Sequence, residues 1–312
     1  MMKGVNSIYV DYLDYDEIAH HAGMARAESL AALTGLDEVV GLISQARAHA
    51  PRPYEIILLS DHGQSQGETF RQLNGGKTLE DFVSEYTNTT QIETATGTDE
   101  SQTSVRYLVG IGTSNKNSEA VARRVGRLVD KEGSTADTED AASNIVVTGS
   151  GNLGNIWLKD IPKRATLEEI NSRYPHLVEG LLDTKGIGLV LVKSSRANYL
   201  CISKTGSIDL NSGKVTGEHP LTAYGEQWRR ELLKLTSMDN PPDLAVISTY
   251  EPTRGSTHAF EELVGNHGGI GGWQTQGILL YPERFEIQDE FLQDGEINGS
   301  ETLHKLFKQW MR

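Results

Sequence analysis

Two short stretches concentrate carboxylates and imidazoles, "DYDEIAHHAG" at residues 14–23 and "SDHG" at residues 60–63. In the first, Asp16 and His20 are four positions apart, so on a helix both side chains share one face about one turn apart. In the second, Asp61 and His62 follow the apolar run "YEIILL" after Ser60. A third candidate, His267, sits in the glycine-dense "GNHGGIGG", where the backbone can crowd closely around an ion. Hard carboxylate oxygens mixed with imidazole nitrogens suit divalent metals; zinc fits best, and manganese or iron fit carboxylate-rich sites. Each piece alone has a plainer reading, since a lone Asp usually caps a helix and a lone His usually lies on the surface. Two Asp/His pairs in one unit favour the metal. His21 points elsewhere on a helix than His20 and is read as a supporting or surface residue.

These groups need elements that hold them. "SIYVDYLDYD" alternates and is rich in β-branched and aromatic residues, which predicts a strand ending near Asp14 to Asp16. A helix follows, with Leu30, Leu33, Val40 and Ile43 at helical spacing, and "APRP" ends it. "YEIILLSDHG" then reads as a strand buried in a parallel sheet. Residues 1–83 thus form a βαβ unit with ligands at the strand ends, where ligands bind in open parallel sheets. Residues 84–143 read as a peripheral polar insertion containing a short strand, "VRYLVGIG", and a helix striped by Val121, Val125, Leu128 and Val129. Residues 144–312 supply the rest of the core through "NIVVTG", "GIGLVLVK", "NYLCIS", "LAVIST" and "GILLYP".

The whole chain of 312 residues has 37% hydrophobic residues and a formal net charge of -14. An acidic balance argues against nucleic-acid backbone binding, which needs a basic surface. No apolar run reaches the roughly 18 residues of a membrane span, and no signal peptide is visible, so the expected location is cytoplasmic. The single cysteine, Cys201, excludes a cysteine-cluster zinc site and is read as a packing residue.

In this order, "DYDEIAHHAG", "LLSDHG" and "GNHGG" resemble the alkaline phosphatase superfamily, closest to its nucleotide pyrophosphatase/phosphodiesterase branch. The matched motif residues are Asp16, His20 and Gly23, then Asp61, His62 and Gly63, then His267 and Gly268. The stretch from "GSGNLGNIW" to "HGGIGGWQTQ" is similar to the soluble catalytic part of uncharacterised bacterial members. The resemblance implies an α/β, alkaline phosphatase-like core with a mostly parallel sheet flanked by helices. It implies two zinc ions, one held by Asp16, His20 and His267 and the other by Asp61 and His62. It further implies hydrolysis of a phosphorylated or sulfated small-molecule ester. The family carries an earlier segment that supplies another metal-binding Asp and a Thr or Ser nucleophile. The chain as given begins after that point, so the expectation is an N-terminally incomplete core with the nucleophile unidentified; fuller relatives are expected to be membrane-anchored. Neither Asp11 nor Asp14 is assigned the missing role.

Two alternatives follow from the residues. One is a non-catalytic metal-binding or interaction module. The other is a nucleotide-cofactor enzyme, because "GSGNLG" at 149–154 matches GxGxxG. That fingerprint needs a helix to open there, whereas "NIWLKDIP" reads as strand, so a β-hairpin turn is the better expectation. "TLEEI" has the capping-box form and predicts a helix start at Thr166. His258 is read as a surface or capping residue, and His49, His176, His219 and His304 have no supporting pattern.

Overall fold

An eight-stranded mixed sheet organises the chain in the computed structural model, which describes residues 1–90, 92–95, 143–196, 198–225 and 227–311. In chain order the elements are α1 (Asp14–Ala22), α2 (Ala27–Arg47), β1 (Leu58–Leu59), β2 (Ser65–Gln66), α3 (Phe70–Leu73), α4 (Leu79–Thr87) and β3 (Ile92–Ala95). They continue with β4 (Ile145–Ser150), β5 (Leu153–Leu158), α5 (Leu167–Arg173), α6 (Leu177–Asp183), β6 (Ile187–Lys193), β7 (Tyr199–Ile202), β8 (Gly206–Asp209) and β9 (Val215–Gly217). The last are α7 (Trp228–Thr236), β10 (Leu244–Ser248), β11 (Gly265–Asn266), β12 (Leu279–Leu280) and α8 (Ser300–Trp310). The large sheet runs β3-β4-β5-β10-β6-β7-β8-β9.

The α/β class holds, but the sheet is mostly antiparallel, not mostly parallel. Only β3 and β4 run parallel, while every other neighbouring pair in this sheet is antiparallel. For the sequential strand pairs, connection length explains it. A tight turn joins β4 to β5, and short turns link β7, β8 and β9; such links reverse the chain and cannot return it parallel. The long apolar runs arise because the central strands are covered on both faces. In β6, Val190 and Val192 join Leu79, Ile170, Leu177 and Leu181 from α4, α5 and α6. Leu189 and Leu191 of the same strand pack instead with Cys201, Leu221 and Leu232 on the opposite face. The Cys201 thiol is buried, and desolvation pushes it up to about 12, as a packing residue should be.

The expected opening strand is absent. Residues 8–13 form no strand, and α1 begins directly at Asp14 with Asp14, Asp16 and Glu17 in its first turn, where negative side chains favour a helix N-terminus. The run ending in Asp61 and His62 is also not a buried parallel strand. Its regular part is β1 alone, paired antiparallel with β12, and Leu58 and Leu59 are exposed. Alternation and apolarity specify a buried strand only when a neighbouring strand and a covering layer are available. α2 forms as expected, and Thr166 makes the predicted capping box with Glu169. The "GSGNLG" stretch is the β4–β5 turn with β5 following it, so no helix N-terminus stands there for a dinucleotide. The segment "VRYLVGIG" and the helix proposed around Val121 lie outside the described residues. Among the described residues, no helix is long and apolar enough to cross a membrane.

Candidate metal centre

Three chain segments meet beside the large sheet. β2 pairs with β11, Ser65 opposite Asn266 and Gln66 opposite Gly265, which sets residues 62–64 beside His267. α1 docks on the same segment: Val264 donates from its backbone N–H to the His20 carbonyl oxygen at 2.8 Å. A side chain at position 265 could not be tolerated, since a Cβ there would lie 2.4 Å from the Ala19 carbonyl oxygen. Ser29 at the start of α2 donates to the Gly23 carbonyl oxygen at 2.8 Å and ties the two N-terminal helices together.

The β4–β5 turn supports the His267 loop from the sheet side. Gly151 has φ +54, and a Cβ there would fall 1.6 Å from the His267 carbonyl oxygen. The fully buried Asn152 accepts from the Gly269 backbone N–H at 2.7 Å. The glycines of "GSGNLG" therefore allow close backbone approach, but to the His267 loop.

Side-chain geometry follows. His20 Nε2 lies 3.3 Å from Asp16 Oδ2. His62 Nε2 lies 3.4 Å from Asp61 Oδ2. Two ligand atoms about 2 Å from a tetrahedral zinc stand roughly 3.3 Å apart, so both pairs have the spacing that shared coordination requires. The other ring nitrogens are fixed by carbonyl oxygens, which only accept. His20 Nδ1 donates to the Gly265 carbonyl oxygen at 2.7 Å, across 245 positions of chain. His62 Nδ1 donates to the Gly63 carbonyl oxygen at 3.0 Å. Both arrangements direct Nε2 toward a carboxylate, and a backbone carbonyl on the remote nitrogen is the usual support of a metal-binding imidazole.

His267 joins the two pairs. Its ring stacks on His62 with centroids 3.6 Å apart and stands 5.1 Å from the His20 ring. Asp16, His62 and His267 each offer a ligand atom, and these atoms lie within 4.8 Å of one another. The tightest grouping thus crosses the two ligand sets implied by the resemblance, with His20 bound to Asp16 at its edge. Asp61 is the outlying member, its side chain 80% exposed. His21 pairs with Glu17 at 3.6 Å and its side chain is 63% exposed. His258 donates to the Glu68 carbonyl oxygen at 2.8 Å.

The protonation states suit a cation. Burial alone would raise the Asp16 carboxyl, but the hydrogen bond and charge of His20, the Gln64 amide and His267 outweigh it and bring it down to about 2. Desolvation, helped by the neighbouring His62, lowers His267 to about 4. At neutral pH the pocket therefore presents an anionic carboxylate and a neutral imidazole, the forms that bind metals.

Sequence reasoning missed two residues here. Gln64 donates from Nε2 to the Asp16 backbone carbonyl oxygen at 3.1 Å and also to Asp16 Oδ1. Asn152 holds the His267 loop. Gln64 follows "SDHG" immediately, and proximity to a motif was its only signal. Comparison with known proteins finds no matching family model, no matching curated protein and no matching solved structure.

Proposed function

We propose that the chain carries the metal-binding part of a metal-dependent phosphoric or sulfuric ester hydrolase, with Asp16, His20, His267, Asp61 and His62 as ligands. The observation that carries this reading is the gathering of Asp16, His62 and His267 from distant segments into one group, with each Asp/His pair spaced for a common ion. Zinc is the preferred occupant of this oxygen and nitrogen set, with manganese or iron as alternatives. Bound divalent ions would supply Lewis acidity toward the ester oxygens of a phosphorylated or sulfated small molecule. The protein's own part is to hold Asp16 anionic, keep His267 neutral, and fix His20 and His62 in the tautomer that turns Nε2 inward.

A second reading, a non-catalytic metal-binding module, is favoured by the hydroxyls that flank Asp61 and His62. Ser60 Oγ accepts from the Ile278 backbone N–H at 2.9 Å, and Ser65 Oγ accepts from the Gln274 backbone N–H at 3.3 Å. Both are committed to the loop. Assays with bis(para-nitrophenyl) phosphate and para-nitrophenyl sulfate, with added zinc or manganese, separate the readings. Metal-dependent nitrophenol release that disappears in His267→Ala supports the hydrolase; zinc binding without release supports the second reading.

A further inference from the structure

We infer that Gln64 is a positioning residue of the metal centre: it locks the Asp16 side chain so that Oδ2, beside His20 Nε2, is the oxygen turned to the ion. The inference rests on the metal-binding reading above and extends it to a residue outside the ligand set.

The argument is one of hydrogen-bond inventory. The Gln64 side-chain NH2 has two protons, and both are spent on Asp16: one on its backbone carbonyl oxygen, one on Oδ1. A single amide therefore fixes both the main chain and the rotamer of one residue. The opposite carboxylate oxygen, Oδ2, is the one 3.3 Å from His20 Nε2. The two neighbours divide the carboxylate between them. The cost of this arrangement is visible at the other end of the amide. Gln64 is buried, and its Oε1 has no hydrogen-bond partner among the described residues. A buried acceptor left without a partner is unfavourable, and turning the amide over would set Oε1 against the Asp16 carboxylate, so the observed orientation is held. A glutamine kept at that cost is serving the carboxylate. With Oδ1 occupied, Asp16 offers one oxygen to an ion in place of two, and a monodentate carboxylate leaves more of the coordination sphere open to a substrate.

The test is a cobalt and zinc titration of full-length wild type, Gln64→Met and Gln64→Glu, followed by calorimetry and by the visible spectrum of bound cobalt. Gln64→Met keeps length and volume but removes the donor; Gln64→Glu is isosteric, and guards against a methionine variant that does not fold. Loss of an outer hydrogen bond to a ligand weakens binding about 10–100-fold, and that range is expected for Gln64→Met. A freed Oδ1 should also change the cobalt spectrum, a signature that a purely structural role would not move. Circular dichroism of the metal-free variants must match wild type for the comparison to count. Variants that fold, bind as tightly as wild type and keep its cobalt spectrum overturn the inference while leaving the metal reading intact. A wild type that binds neither metal overturns both.

Discussion

The sheet and the arm that carries the candidate ligands solve the folding problem differently. In the sheet, β6 and β10 are buried on both faces, each face joining a separate apolar cluster. In the arm, made of residues 1–66 and 264–281, a helix of 21 residues has Ser29 as its buried residue. Nearly all the exposed large apolar side chains among the described residues belong to this arm, including Leu30, Leu33, Leu42, Leu58, Leu59, Trp273, Ile278 and Leu280. The sheet is held by apolar area. The arm is held by point contacts: the Gly265 and Gly63 carbonyls on imidazoles, the Gln64 amide on Asp16, the Asn152 amide on the loop. A site built this way would gain order from an ion bound there, since a ligand that binds only the folded state stabilises it by mass action.

The largest expected effect is in the sheet. Leu244 is fully buried, and Leu244→Ala should cost about 2–5 kcal/mol in denaturant unfolding. Leu59→Ala, at an exposed position of the arm, should stay within about 0.5 kcal/mol. Equal costs would erase the distinction between the two regions.

Next comes the bridge between them. Asn152→Ala removes the acceptor of the Gly269 N–H at a buried position and should destabilise by about 1–3 kcal/mol. It should also weaken zinc binding, because His267 lies on the loop that it holds. A stability loss with unchanged zinc affinity would mean that the loop keeps its place without the amide.

The pH dependence sharpens the comparison further. His267 sits at about 4, against an ordinary 6.5. Between these values the unfolded chain takes up a proton that the folded chain does not, so the metal-free protein should lose stability as pH falls through this window. Asp16 acts lower down: its contribution is present above 3.8 and is lost as pH falls toward about 2. Thermal melting from pH 8 to pH 4 should show the first slope, and His267→Gln should flatten it; an unchanged slope in that variant would assign the loss to another group. The smallest effect belongs to His21→Ala, which should leave stability and zinc affinity unaltered because the ring is mostly exposed and its ion pair is with Glu17 on the same helix.

Much of this was legible in the sequence. The helical spacing of Asp16 and His20, the end of α2 at "APRP", the capping box at Thr166 and the β4–β5 turn all rest on local chemistry, and local chemistry is written in neighbouring residues. Strand direction was not legible. A strand buried on both faces has the same apolar run whether its neighbours are parallel or antiparallel, and "GIGLVLVK" carries no mark of either. The strand expected over "SIYVDYLDYD" failed for a related reason: it pairs with no strand among the described residues, and its end opens α1. At the site, the candidate ligands stood out by residue type, while Gln64 and Asn152 did not. An amide is ordinary in sequence, and its role depends on what folding places in front of it.

The central claim is that Asp16, His62 and His267, with their partners His20 and Asp61, form a metal centre. Metal analysis of the purified chain after zinc loading and dialysis tests it most directly, with Asp16→Asn and His267→Ala alongside. The account predicts one tightly retained zinc in the wild type, a second taken up only in excess metal, and an affinity lower by more than about 100-fold in either variant, beyond the range for an outer-shell change. A wild type that retains no zinc, or a His267→Ala variant that retains as much as the wild type, would contradict it.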